Sequence, residues 1–110
     1  MPYTPKRLYI GQPGTTLGTL FTVPANTKVI VTNIVLCNTA TTTVKVTLHF
    51  VPNGSSASNA NKIIADYPVS ANDTVVIDDL SIVLEAGDTI QAVQDTANAV
   101  TVYVSGVEVQ

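Results

Sequence analysis

One seven-residue bend occurs three times in this 110-residue chain: Val-Pro-Ala-Asn-Thr-Lys-Val at 23–29, Val-Ser-Ala-Asn-Asp-Thr-Val at 69–75 and Leu-Glu-Ala-Gly-Asp-Thr-Ile at 84–90. Its fourth position is Asn26, Asn72 or Gly87. These residue types best tolerate a left-handed backbone, and the alanine before them keeps the bend small. An apolar residue enters each bend and another leaves six positions later, so each copy delivers a strand end and a new strand start to a core face. The motif is therefore predicted to be a corner, with positive φ at its fourth residue.

Between the corners, Pro and Gly punctuate short runs rich in Val, Ile and Thr, the spacing of an all-β chain. Strands are predicted at 7–11, 18–23, 28–37, 43–51, 62–68, 74–84, 89–94 and 99–109. In the fourth, Val44, Val46, Leu48 and Phe50 face one way and Lys45, Thr47, His49 and Val51 the other. In the last, Val100, Val102 and Val104 oppose Thr101, Tyr103 and Ser105. The one helical candidate, 55–67, opens on Ser and Asn, which compete with the backbone for hydrogen bonds, and its apolar run is only Ile63-Ile64-Ala65. Residues 53–61 are accordingly read as a polar surface loop.

The first two corners match further, Val23, Ala25, Asn26, Val29 and Val31 aligning with Val69, Ala71, Asn72, Val75 and Ile77. The match predicts two similar halves, each giving about four strands to a pair of facing sheets. The expected fold is all-β: a two-sheet antiparallel sandwich of Greek-key or jelly-roll type, with about eight strands. An immunoglobulin-type sandwich is the alternative, but with one Cys and no Trp its Cys…Trp…Cys framework is missing. The length suits a single domain, assigned to 8–110. Residues 1–7 are assigned to an extended N-terminal arm, since Pro2 and Pro5 bar a regular central strand there. Such an arm either lies across a neighbouring subunit or frays.

Only 12% of the residues are charged while 45% are hydrophobic. A surface this lean in charge predicts flanks covered by other chains, hence a homo-oligomer. The five basic residues, Lys6, Arg7, Lys28, Lys45 and Lys62, are scattered, and the net charge is −3. That pattern offers no footprint for nucleic acid. No run approaches the roughly 20 apolar residues of a membrane span, and the first residues lack a signal-peptide core. Synthesis in a cytosol is expected.

Candidate chemistry is sparse. Cys37, the only cysteine, sits in an apolar run and reads as a small buried hydrophobe. His49, the only histidine, reads as solvent-exposed or interfacial; a cupin-like metal site needs several, which only a three-fold axis gathering three copies could supply. No Gly-x-Ser-x-Gly elbow is present. Among the carboxylates Asp78, Asp79, Glu85 and Asp88, the adjacent pair points to opposite sides of a strand and reads as a charged bend interrupting an apolar run. Calcium at Asp73, Asp78, Asp79 or Asp88 lacks the close spacing a loop site uses. The chain is expected to be non-enzymatic, with no catalytic residues, metal or cofactor. Glycan binding would draw on the six aromatics, Tyr3, Tyr9, Phe21, Phe50, Tyr67 and Tyr103. Phe21 and Phe50 fit core positions, and Tyr103 fits an interface.

Four segments together carry a resemblance: LFTVPANTKVIVTNIVLCNT, VKVTLHFVPNGSS, DDLSIVLEAGDTIQAV and VTVYVSGVEV. From about Leu8 to Gln110 the chain resembles a group of small β-sandwich virion structural proteins encoded in tailed-bacteriophage genomes and prophages. The resemblance implies a non-enzymatic structural role, first as a head decoration or cement subunit stabilising the capsid. A neck or tail-attachment or fibre component, and a carbohydrate- or receptor-binding module, are the alternatives. It further implies a virion location after synthesis in the host cytoplasm. The implied partners are copies of itself, a trimer by analogy, and other virion proteins such as the major capsid protein.

Overall fold

A computed structural model describes residues 3–110. They form β1 (Tyr3–Gly11), β2 (Gly18–Thr22), β3 (Lys28–Asn38), β4 (Val44–Val51), β5 (Lys62–Val69), β6 (Thr74–Ile77), β7 (Ile82–Leu84), β8 (Thr89–Gln94) and β9 (Val100–Val109). A front sheet runs β1-β9-β3-β6, with β7 also on β3, and a back sheet runs β2-β8-β4-β5. Every pairing is antiparallel. The chain is an all-β, two-sheet sandwich, as its spacing of Val, Ile and Thr requires.

The topology follows from the pairings. β6 pairs with Ile34–Cys37 and β7 with Val29–Val31, along the same edge of β3, so the two are one interrupted strand and nine strands fill eight positions. Those positions pair first with last (β1·β9), second with seventh (β2·β8), third with sixth (β3·β6/β7) and fourth with fifth (β4·β5), as in one long folded hairpin. Wrapping that hairpin sets β9 beside β3 and β8 beside β4, which is the jelly roll. The core between the sheets is mainly aliphatic. Val29, Val31, Ile34 and Leu36 of β3 meet Val44, Val46 and Leu48 of β4, Ile90 of β8 and Val102 and Val104 of β9, all with at most 1% exposure.

Each predicted corner carries the chain from one sheet to the other. Asn26, Asn72 and Gly87 have φ of 59°, 55° and 86°. Bonds from Asp73 N to Ser70 O (3.2 Å) and Asp88 N to Glu85 O (3.0 Å) close the second and third as four-residue turns. Positive φ at only their third residue is the type II pattern. A fourth corner of this kind, Ala97-Asn98 with φ 56° at Asn98, links β8 to β9. The first and third corners meet at one end of the sandwich, where Val23 N donates to Asp88 O (2.9 Å) and Gly87 N to Val23 O (3.0 Å). The second and fourth lie at the other end against the β3–β4 turn, through Asn72 N to Ala40 O (3.1 Å) and Thr39 N to Ala99 O (2.8 Å). The first two corners join the second strand to the third and the fifth to the sixth, three strands apart where two equivalent four-strand halves need four. The repeat is one bend reused, and the expectation of similar halves is corrected.

Two boundaries also differ from expectation. The assigned arm is not free: Tyr3–Arg7 form the first half of β1, paired with Val109–Ser105. Pro5 is tolerated because β1 is an edge strand, whose outward N–H has no ladder partner to lose. Met1 and Pro2 lie outside the described residues. The continuous strand expected over 74–84 breaks between Ile77 and Ile82, where Asp79 takes φ 60° and Leu80 N donates to Thr32 O (3.1 Å). At the same level β1 bulges between Arg7 and Tyr9 and β3 between Val31 and Asn33, on both sides of Ser105 in β9. There a Cβ at Gly106 would run into the Ile30 carbonyl oxygen, so only glycine lets β9 and β3 approach. Three irregularities in one row bend the front sheet.

Two buried amides fasten the end that holds the second and fourth corners. Asn38 donates to Thr42 O (2.8 Å) and Val69 O (2.9 Å) and accepts from Ala40 N (2.9 Å). Gln94 donates to Pro13 O (2.6 Å) and Val100 O (3.2 Å) and accepts from Val100 N (2.8 Å). Gln94→Leu keeps the volume but strands buried backbone groups, so it should lower the unfolding free energy by about 2–3 kcal/mol. The control Gln91→Leu, on the outer face of the same strand, should shift it by no more than about 0.5 kcal/mol. Urea titration of both variants measures the difference.

Candidate functional site

The side chains singled out for chemistry take structural places. His49 is buried, correcting the exposed or interfacial reading. The β4–β5 loop folds over the outer side of β4, and a single 3-10 turn, Asn59–Asn61, sets Asn61 against the ring. His49 Nδ1 donates to Asn61 Oδ1 (2.9 Å), which also accepts from Ser58 N (3.0 Å), while Asn61 Nδ2 donates to Ser56 O (3.0 Å). The imidazole is part of the loop's anchor. Cys37 is half-buried on the outer side of β3, because the bulge after Val31 turns Ile34, Leu36 and Asn38 inward and leaves Val35 and Cys37 outward.

Asp88 is committed to the backbone: Oδ1 accepts from Asn53 N (2.8 Å) and Oδ2 from Glu85 N (2.9 Å). It ties the β4–β5 loop to the third corner. Glu85 lies 3.8 Å from Lys28 Nζ with both side chains exposed, an ion pair worth little in water. Asp78 and Asp79 occupy the link between β6 and β7, outside any strand, which replaces the picture of a strand pair pointing to opposite sides. Both are exposed, and among the described residues neither has an ion-pair partner. Asp73 is exposed as well. Among the described residues no group of three or more His, Cys, Asp and Glu is placed to share a metal ion. Phe50 is buried in the core and Phe21 packs half-buried against it.

The two outer faces differ in chemistry. On the back sheet the ladder sets His49 beside Gln91 and Lys62, Thr47 beside Val93 and Val51 beside Thr89, a more polar surface partly roofed by the β4–β5 loop, with Ile63 and Tyr67 exposed on its edge strand β5. The front sheet has apolar rows that cross all its strands. In one, Ile10 pairs with Tyr103, Tyr103 with Val35 and Val35 with Val76. In another, Pro5 pairs with Val107, Val107 with Ile30 and Ile30 with Val83. The row ends are open to solvent, Ile10 at 54%, Val76 at 58% and Val83 at 57% exposure. Tyr103, expected opposite the valines of β9, lies in the middle of the first row. Between the rows lies the bent level, with Arg7, Ser105 and Asn33 aligned across three strands. A shallow hollow of about 400 Å³ opens there, lined by Pro5, Arg7, Thr32, Tyr103, Ser105 and Val107. An uncovered apolar area of this kind makes the front face the candidate interaction surface. Alternation within each strand was legible, but the alignment of rows across strands depends on the register, which the sequence does not state.

No protein-family model and no curated protein matches the chain. Among solved structures it is similar to a chain in the structure of infectious bursal disease virus, Gx strain, with a TM-score of 0.58 and 12% identity. The match covers 97% of this chain and 31% of that one, so the sandwich corresponds to about a third of the viral chain. At that identity the likeness is one of fold, and it agrees with the two-sheet sandwich.

The roofing of the back sheet is testable. Asn61→Ala removes the acceptor shared by His49 and Ser58, and should cost about 1–2 kcal/mol. Hydrogen exchange should show faster exchange across 53–61 with unchanged protection in β3 and β9.

Proposed function

We propose that this chain is a non-enzymatic structural subunit of a virus particle, and specifically a head decoration or cement subunit of a tailed bacteriophage. The observation that carries the reading is the front face: apolar rows across a whole sheet, with their ends left open to solvent, on a jelly roll whose other face is more polar and partly roofed. A folded chain keeps such a face where neighbouring proteins cover it. The fold likeness to a chain in a virus structure supports the particle context, and the resemblance of the corner-bearing segments to phage virion proteins supports the bacteriophage assignment.

In this role the protein acts by binding alone. Copies made in the host cytoplasm associate with one another and with the major capsid protein, each burying modest area. The shell is stabilised because many weak contacts act together. Ordered side chains matter here as surface chemistry, so function resides in Ile10, Val35, Val76 and Tyr103 and in their counterparts in the second row.

Quantitative mass spectrometry of purified particles tests the assignment. Copies on the order of hundreds per particle, with earlier heat release of the genome when the protein is missing, are the expected result for multivalent decoration. A handful of copies would move the protein to the neck or tail, and absence from purified particles would overturn the virion reading.

A further inference from the structure

The front face is complementary to itself. Register places Arg7 at the β1 edge on the same level as Ser105 and Asn33, and that level ends at the opposite edge in the β6–β7 link, which carries Asp78 and Asp79. Cation and carboxylates thus stand at the two ends of one row, with an apolar row above and another below. Among the described residues none of the three has an ion-pair partner. We propose that the front sheet binds a second copy of this chain face to face, about a two-fold axis parallel to the strands, with Arg7 of each copy seated against Asp78 and Asp79 of the other.

The axis is selected by the charges. A rotation about an axis parallel to the strands keeps each row at its level and exchanges its ends. Ile10–Tyr103–Val35–Val76 then lies on its own reverse, as does Pro5–Val107–Ile30–Val83. Arg7 comes over the sibling's acidic link, and that link enters the hollow lined by Arg7, Thr32 and Ser105. An axis across the strands would instead set Arg7 on Arg7 and the acidic links on each other. The contact is isologous, closes at two copies and leaves no repeating edge. Sheets stacked in this way keep their strands within about 30° of each other because each sheet is twisted.

The area is sufficient. The apolar rows stand about 17 Å apart, but β1, β9 and β3 run nine to eleven residues, roughly 30 Å, so four strand positions about 4.8 Å apart offer on the order of 500–600 Å² per copy when the whole face is covered. The total of about 1,100 Å² clears the roughly 1,000 Å² that a biological interface needs. Salt is expected to weaken the contact through the two Arg–Asp clusters. Two-fold closure replaces the trimer expected by analogy.

Sedimentation of the purified chain, independent of any particle, tests the proposal over about 1–500 μM. The wild-type chain is expected to dimerise, and Arg7→Glu to weaken the dimer at least 100-fold. The triple variant Arg7→Glu, Asp78→Arg, Asp79→Arg, which exchanges the charges across the interface, is expected to restore it. Val76→Asp, at an exposed row end, should dissociate it by a separate route, and circular dichroism verifies that each variant keeps its fold. A wild-type chain monomeric throughout, a trimer, a dimer indifferent to Arg7→Glu and Val76→Asp, or failure of the charge exchange to restore association would each overturn the proposal. Because the measurement uses the isolated chain, these results are separable from a failure of the virion assignment.

Discussion

A chain that alternates between two sheets must leave one hydrogen-bonded ladder and enter another about 10 Å away, and at each crossing its backbone donors and acceptors need new partners. The jelly roll makes many such crossings in little length. Here four of them use one device, a small residue followed by Asn or Gly in the left-handed region, which reverses direction within a few residues. The freed groups are taken up by neighbouring crossings: Val23 bonds both to Gly87 and to Asp88 of another corner, and Asn72 and Ala99 bond to the β3–β4 turn. Asn38 and Gln94 complete the same accounting from the side-chain side. No buried side-chain N or O among the described residues lacks a partner. The corners therefore hold the sandwich as a set, which explains why a bend would recur without any duplication of halves.

With the crossings fixed, the two outer faces follow. The β4–β5 connection is the long one and has polar residues to spare, so it lies back on the back sheet and covers His49. The front sheet receives no such cover. Its bulges, the Gly106 approach and the β6–β7 break fall on one level and bend it there, leaving a hollow between two apolar rows. Low overall charge and an uncovered face are thus one property seen twice: the scarce charges include Arg7 and the Asp78-Asp79 pair, placed at opposite ends of the only polar row between the two apolar ones.

Much of this was legible in the residues. Positive φ at Asn26, Asn72 and Gly87, the inward set Val44, Val46, Leu48 and Phe50, and the two-sheet class all follow from local chemistry and period. The misses have local causes too. Ala97-Asn98 escaped because no apolar residue enters that corner at the expected offset. Asp79 breaks β6 from β7 through a backbone conformation that Asp adopts only moderately often; the pair Asp78-Asp79 reads as a charged bend, but the apolar residues on either side of it read as one strand. His49 and Cys37 were misjudged because a loop's resting place and a bulge's phase shift are tertiary facts. Tyr3–Arg7 read as an arm because prolines exclude a central strand, and the edge position that admits Pro5 is set by β9, far along the chain. The candidate surface was legible only strand by strand.

The central claim is that the outer face of β1-β9-β3-β6/β7 is the surface other chains cover. Hydroxyl-radical footprinting of the protein in dilute and in concentrated solution measures this side chain by side chain. The account predicts that Ile10, Tyr103, Val76 and Val83 become protected as concentration rises while Ile63 and Tyr67 on β5 stay reactive. Unchanged reactivity along the front rows, with protection appearing on β5 instead, would contradict it.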